Sequence, residues 1–360
     1  MIGRCLKMLN NQYFAQNSSE CLVPAISKNQ NLKTKLDSKP LSALLSENTT
    51  VIPPTNTIFD TAYQLLNQTV KKIDGAYADS TIRAYRVDFE HFIKYCEELN
   101  ESPLPTTPDT ICLYIKSLVQ DGRSSASIRR VMAGMTTIHK LNRFSDPTKD
   151  PDVILEMRRM HRKIGRYQKQ AFGITGEILE NLIQATEAGN RGARDRALLL
   201  IAYDTLCRRS ELVALLIEDI RFTETDDGMK ASVLIRKSKT DQLAKGRRLN
   251  LSIKATEALN LWLERMRNPK EGQLFKGINR AQKITGSLGS GQINRIYKRL
   301  AKRAGLDKEL IEQISGHSLR VGRAQDLVNS GESMPMIMSK GRWSKTDTVM
   351  RYVEHINYSV

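Results

Sequence analysis

No apolar run in the 360 residues approaches the ~18–20 needed to cross a bilayer as a helix, so a spanning helix is not expected. The start, MIGRCLKMLNNQYFAQ, lacks the apolar core of a secretory signal, so export is not expected either. Cysteine is scarce and scattered: Cys5, Cys21, Cys96, Cys112 and Cys207 are odd in number and show no paired spacing. That argues against a disulfide framework and a metal-ligand cluster, and suits a reducing cytoplasmic compartment. Acidic residues fall short as well, 39 against 56 lysines and arginines, for a net charge of +17. Such an excess calls for a polyanionic partner. No basic helix face is backed by an exposed Trp or Phe face, which disfavours a membrane surface and leaves nucleic acid. No internal repeat is visible.

What is present supports two domains, since 40% hydrophobic residues in a chain of this length can build two cores. Residues 1–57 are rich in Asn, Ser, Lys and Thr and close on the Pro-Pro break of SENTTVIPPTNT. They read as a disordered leader in which only LSALLS could form a helical turn. From 58 to 165 the patterns are helical. In STIRAYRVDFEHFIKYCEEL a stripe of Ile82, Tyr85, Phe89, Phe92 and Cys96 follows a cap at Ser80 or Thr81. TTPDTICLYIKSLVQDG starts with Thr107 as cap and Pro108 in the first turn, and stops at Gly122. Two further helices follow, the second ending near Gly165. An all-α domain is expected there, then a polar, basic linker over 166–174.

From 175 to 360 helices return, interrupted where the period changes in KASVLIRKSKTDQLAKGRRLNLS. Val233, Leu234 and Ile235 read as one strand, Leu249 and Leu251 alternate in a second, and the polar segment between them makes a hairpin loop. Helices resume with KATEALNLWLERM and are expected to continue to the end. The fold class is therefore mainly α: an N-terminal all-α domain and a C-terminal, mostly α domain with a small antiparallel sheet.

Basic residues cluster. MRRMHRKIGRYQK holds six in thirteen positions, among them Arg158, Arg159 and Arg162. Arg83 and Arg86, then Arg123, Arg129 and Arg130, lie on polar faces of the first domain's helices, and Lys298, Arg299, Lys302 and Arg303 on another in the second. Each cluster alone could be a solvated face. Together, without evident balancing acids, they suggest a track of phosphate contacts.

Several polar residues sit in odd settings. Arg208, Arg209 and Glu211 interrupt the apolar LLLIAYDTLCRRSELVALLIEDI, and a charge there must be paired or bound. Lys239 lies near the hairpin tip. His317 and Arg320, three apart at the start of a helical segment, share a face about one turn apart. Two neighbouring cations of this kind suggest a shared anion. Trp343 and Tyr352 come late in the chain. This set suits metal-free phosphodiester transfer. Guanidinium forks clamp nonbridging oxygens whose charge grows in a pentavalent transition state. A lysine can protonate a leaving 5′ oxygen, and a tyrosine can form a covalent link that keeps the phosphodiester energy.

The blocks IAYDTLCRRSELVAL, RKSKTD, GHSLRVGRAQDLVNSGESMPMIMSKGRWS and TVMRYVEH resemble the tyrosine recombinase (phage integrase) family, Cre type, in their order and spacing. The resemblance spans about residues 58–356 and leaves the leader uncovered. It implies a two-domain, C-shaped clamp on duplex DNA. It also implies a tetramer on two inverted-repeat sites, strand exchange through 3′-phosphotyrosine links and a Holliday junction, and no metal or nucleotide cofactor. By the same resemblance Arg208 and Arg320 hold the scissile phosphate and His317 assists proton transfer. Lys239 protonates the leaving oxygen, Trp343 donates its ring N–H to a phosphate oxygen, Tyr352 is the nucleophile and Glu211 orients the site. Arg209, Lys237, Lys245 and Tyr358 are neighbouring alternatives. Gly291 stands where Cre-type proteins place a major-groove arginine, so Gln292 and Arg295 are the nearby candidates for base contacts, and Lys298 is a further candidate DNA contact of the second domain. Arg83, Arg86, Arg129, Arg130, Arg158, Arg159 and Arg162 are those of the first. Only VEHINYSV follows Tyr352, short for the further helix of Cre-type proteins. Two other functions remain open: a type IB topoisomerase-like relaxer, and a DNA-binding protein without catalysis.

Overall fold

The computed structural model describes residues 57–167, 170–226, 228–238 and 245–354. The expected leader, apart from Thr57, lies outside these residues, as do Lys239 and Tyr358. The described chain begins with α1 (Ile58–Lys72), α2 (Asp79–Leu99), α3 (Pro108–Gln120), α4 (Ser125–Leu141) and α5 (Pro151–Ile164). Their apolar stripes meet in one core that includes Leu66, Phe89, Phe92, Ile111, Ile128, Met135 and Met160. Local chemistry sets several boundaries. The Thr107 hydroxyl accepts from the Thr110 N–H at 3.2 Å with Pro108 in the first turn, and α5 stops at left-handed Gly165. The cap expected at Ser80 or Thr81 is instead Ala78, with no side-chain bond to the helix N-terminus.

The second core gathers α6 (Gly176–Gln184), α7 (Asn190–Thr205), the short α8 (Arg209–Val213) and β1 (Ile220–Thr225), β2 (Gly228–Ile235) and β3 (Arg247–Asn250). It continues through α9 (Ile253–Arg265), β4 (Lys276–Ile278), β5 (Ile284–Ser287), α10 (Ser290–Arg303) and α11 (Lys308–Gln313). Val233 is the hub of the first sheet, opposite Ile220 on β1 and Leu249 on β3, both antiparallel. The expected pairing of β2 with β3 is present, although β3 ends at Asn250, one residue before Leu251, and residues 239–244 between the strands lie outside the described residues. Two features depart from expectation: β1 adds a third strand, and β4 pairs with β5 in a second sheet where uninterrupted helix was expected. β1 exposes four consecutive residues and so lacks the alternation that marks a strand in sequence, while β4 and β5 are too short to show a period.

The segment expected as a linker is partly built into this core. The Phe172 N–H donates to the Gln313 carbonyl at 3.2 Å and the Ile174 N–H to the Ser318 carbonyl at 2.9 Å, with Ile174 fully buried. This crossing needs Gly322, because a Cβ there would lie 1.9 Å from the Ile174 oxygen. Gly322 belongs to α12 (Ser318–Asn329), which is followed by α13 (Met334–Gly341) and α14 (Thr346–Val353). Their apolar faces close a third cluster around Leu206, Ala324, Leu327, Ile337, Trp343 and Val349. No helix among the described residues is long and apolar enough to cross a membrane.

Candidate active site and nucleic-acid interface

Three chain segments converge at the end of α7. There Leu206 turns left-handed (φ 49°), which stops the helix and frees its carbonyl. Arg208 follows as the cap residue of α8, its backbone N–H donating to Glu211 Oε2 at 3.0 Å. Glu211 is only 5% exposed, yet its carboxylate is well satisfied. Oε1 accepts from Arg208 Nη1 and Oε2 from Arg342 Nη2, each at 2.7 Å. Burial alone would push this carboxyl up, but the Arg342 charge and the bonds from Arg208 hold it below the ordinary carboxylate value.

The second segment is the start of α12, which is fixed from several sides. Asp326 accepts from the Gly176 N–H at 2.8 Å and from the Tyr203 hydroxyl at 2.5 Å, and the Arg323 guanidinium lies over the Tyr203 ring. His317 caps the helix and Arg320 occupies its first turn. The two differ in exposure: His317 is exposed, whereas Arg320 is 2% exposed. Arg320 donates through Nη1 to the Leu206 carbonyl and through Nη2 to the Gly341 carbonyl at 2.5 Å. Burial, then the nearby Arg208 charge, lowers its pKa to about 10, which still leaves it protonated at neutral pH. For His317, loss of solvent around the ring and then the charges of Arg320, Arg209 and Arg208 depress the imidazole below its usual value.

The third segment runs from Gly341 into α14. The Trp343 ring, 7% exposed, carries the Arg320 guanidinium carbon 4.4 Å from its centroid, a cation–π contact. Tyr352 approaches the same indole with centroids 5.6 Å apart and planes at 60°. Tyr352 sits in the last turn of α14, half-buried, its carbonyl accepting from Gln325 Nε2 at 3.1 Å. A cavity of about 710 Å³ beside it is lined by His317, Ser315, Gln313, Gln170, Arg351 and Tyr352. A smaller hollow, about 310 Å³, is lined by Ser238, Lys245, Gly246, Arg342 and Trp343. Ser238 and Lys245 bracket the segment that contains Lys239, so both ends of that segment lie at the Trp343 side of the cluster. Arg208, Glu211, Arg320, Trp343 and Tyr352 are thus brought together, with His317 at the rim.

Sequence reasoning missed Arg342. It stands in KGRWS beside Trp343, at the end of a block that carries the family resemblance, but its partner Glu211 is 131 positions away, so nothing local marks the pair. Among the described residues no group of His, Cys, Asp and Glu has the arrangement of a metal site, and Cys96, Cys112 and Cys207 are free thiols.

The candidate DNA-contacting residues divide in two. Contrary to the expectation of clusters without balancing acids, several are already paired. Arg130 binds Asp88 through two bonds of 2.8 Å, Arg159 reaches Glu156 at 3.0 Å, and Arg86 bonds to Asn67 and lies 3.5 Å from Glu90. Arg83, Arg129, Arg158 and Arg162 are exposed, with no carboxylate within 4.0 Å among the described residues. In α10 the Gln292 side-chain oxygen accepts from the Gly289 N–H at 2.8 Å and Lys298 donates to the Glu312 carbonyl at 3.0 Å, while Arg295 is exposed.

Comparison with known proteins places these features. The sequence pattern described as "Phage integrase family" matches residues 173–358, and that described as "Phage integrase, N-terminal SAM-like domain" matches residues 72–144. An integrase/recombinase xerD homolog of Selenomonas ruminantium is 31% identical over 298 residues, covering 80% of this chain and 85% of that protein. The recombinase cre of Escherichia phage P1 is 26% identical over 278 residues, covering 73% of this chain and 80% of that protein. Among solved structures, the XerH site-specific recombinase in its post-cleavage complex with palindromic difH substrate superposes with a TM-score of 0.59 at 19% identity, over 81% of each chain. A lambda integrase dimer bound to a COC′ core site gives 0.52 at 16% identity, over 81% of this chain and 76% of that one. These two share the fold: mainly helical, with small antiparallel sheets. With one pattern covering more than half of the chain and a relative 31% identical along most of its length, the chain belongs to the phage integrase family, as a tyrosine-type site-specific recombinase.

Proposed function

We propose that the chain cleaves and rejoins duplex DNA through a 3′-phosphotyrosine link on Tyr352, at paired inverted-repeat sites and by way of a Holliday junction. The observation that carries this reading is the convergence of Arg208, Arg320 and Tyr352 on one cluster, with Glu211 and Trp343 holding the arginines. In the first step the Tyr352 hydroxyl oxygen attacks the phosphorus, the bond to the 5′ oxygen breaks, and Lys239 gives that oxygen a proton. Arg208 and Arg320 take up the charge that grows on the nonbridging oxygens. His317, its imidazole depressed by loss of solvent and then by the neighbouring arginine charges, is suited to accept the phenolic proton. In the second step a 5′ hydroxyl of the partner strand attacks the phosphotyrosine, the phosphorus–tyrosine bond breaks, and the protons return.

The helical region 58–165 and the region 175–360 act in this reading as two domains that clamp the duplex. The exposed arginines Arg83, Arg129, Arg158, Arg162 and Arg295 are its best-placed phosphate contacts, because their charge is not already spent on carboxylates. Four copies would synapse two sites on DNA in the cytoplasm, at the nucleoid. The test first searches the DNA beside the gene for an inverted repeat, and then uses a nicked duplex carrying that repeat, whose cleaved end diffuses away and traps the link. A denaturation-resistant adduct mapped by mass spectrometry to Tyr352 is expected. An adduct elsewhere, or none with DNA fully bound, would overturn the reading.

A further inference from the structure

We propose that Arg342 is a positioning residue for strand cleavage: it acts through Glu211 to set the direction of the Arg208 guanidinium, and through its own backbone to set that of Arg320. The inference rests on the reading of the Arg208–Arg320–Tyr352 cluster given above. Three consecutive residues each hold part of that cluster. The Gly341 carbonyl accepts from Arg320 Nη2, the Arg342 guanidinium binds Glu211, and the Trp343 ring lies under Arg320. Gly341 has no room for a Cβ, which would lie 2.0 Å from the Trp343 ring, so this turn is tightly constrained.

Arg342 itself caps α13 in the left-handed region, at φ 56° and ψ 45°. That conformation favours glycine over a long side chain, so an arginine there is a local cost that its side chain must offset. The guanidinium is 7% exposed and donates to the Thr205 carbonyl at 3.0 Å and the Leu206 carbonyl at 3.5 Å, besides Glu211 Oε2 at 2.7 Å. Leu206 is also the acceptor of Arg320. Arg342 therefore shares one acceptor with each of the two arginines assigned to the phosphate. By occupying Oε2 of Glu211 it leaves Oε1 as the oxygen that meets Arg208, which fixes the plane of that guanidinium. The side chain is spent on protein acceptors and is buried, which marks it as a support of the site.

The test compares Arg342→Gly and Arg342→Lys with Tyr352→Phe in single-turnover cleavage. Glycine fits the backbone, and lysine keeps the charge without the fork. Both should bind DNA within about twofold of the parent and cleave about tenfold to a hundredfold more slowly, the range of one charge-assisted hydrogen bond. The acid limb of the rate profile should move to higher pH, because Glu211 without the Arg342 charge protonates more readily. In the Glu211→Gln background, Arg342→Gly should add little further loss, since both act along one path. Additive losses in that cycle, an unmoved acid limb, or a cleavage defect equal to the loss in DNA binding would overturn the proposal. If Tyr352→Phe still forms the adduct, the reading of the whole site fails. If it does not and Arg342→Gly cleaves at the parent rate, only the role of Arg342 fails.

Discussion

The Arg320 guanidinium carbon lies 4.4 Å from the centre of the Trp343 ring, and Tyr352 meets the same ring at 5.6 Å. Trp343 is thereby both a member of the third apolar cluster and the common platform of a buried cation and a candidate nucleophile. Its two contributions can be separated. Trp343→Ala should cost about 3–5 kcal/mol of stability, the range for emptying a large aromatic site. Trp343→Phe should keep most of the stability and the stacking while removing the ring N–H. Denaturant unfolding combined with cleavage rates checks this: a rate drop in the Phe variant without matching destabilisation supports a phosphate-directed N–H.

Tyr352→Phe is expected to keep DNA affinity and abolish the covalent adduct, because ring packing survives while the attacking oxygen is lost. Adduct formation by this variant on a trapping substrate would move the nucleophile elsewhere, with Tyr358 the first residue to examine.

The acid role proposed for Lys239 can be isolated with a 5′-bridging thiolate, which leaves without protonation. Lys239→Ala should cleave that substrate at near the parent rate, and ordinary DNA on the order of 10²-fold more slowly or worse. Equal loss on both substrates would assign Lys239 to positioning instead.

His317 carries a pH dependence whose sign follows from its neighbours. Its folded-state value is depressed below the ordinary 6.5 by loss of solvent and by three arginine charges. The unfolded chain therefore binds the proton more readily, and the associated stability is present above pH 6.5 and lost as pH falls toward the folded value. His317→Gln should flatten the stability profile across that interval. An imidazole titration by NMR in the DNA-free protein with a midpoint at or above 6.5 would contradict the assignment.

The basic helices offer a graded test. Arg158→Ala and Arg162→Ala should each reduce the slope of log K against log salt by about 0.9, the value for one phosphate contact. Arg130→Ala should change it less, since two bonds to Asp88 already engage its charge. A larger effect at Arg130 than at Arg162 would show that the Asp88 pair opens when DNA binds.

By itself the sequence determined what depends on a few neighbouring residues. The helix starting at Pro108 and the stop at Gly165 follow from a cap hydroxyl and a left-handed glycine. The pairing of β2 with β3 follows from short apolar alternation, and the set proposed for the site was named from residue type and order, of which Arg208, Glu211, Arg320, Trp343 and Tyr352 are brought together. Tertiary structure decided what depends on partners far apart in the chain. It seated Ile174 on α12 within a stretch that reads as a linker, and it bound Arg130 to Asp88 across 42 positions of apparently unbalanced charge. It also placed Arg342 on Glu211, and Arg320 on the Leu206 carbonyl 114 positions away. Periodicity and capping report the backbone's local preferences over one or two turns. The direction of a buried guanidinium is set by whichever acceptors packing brings to it, because a charge removed from water must find them.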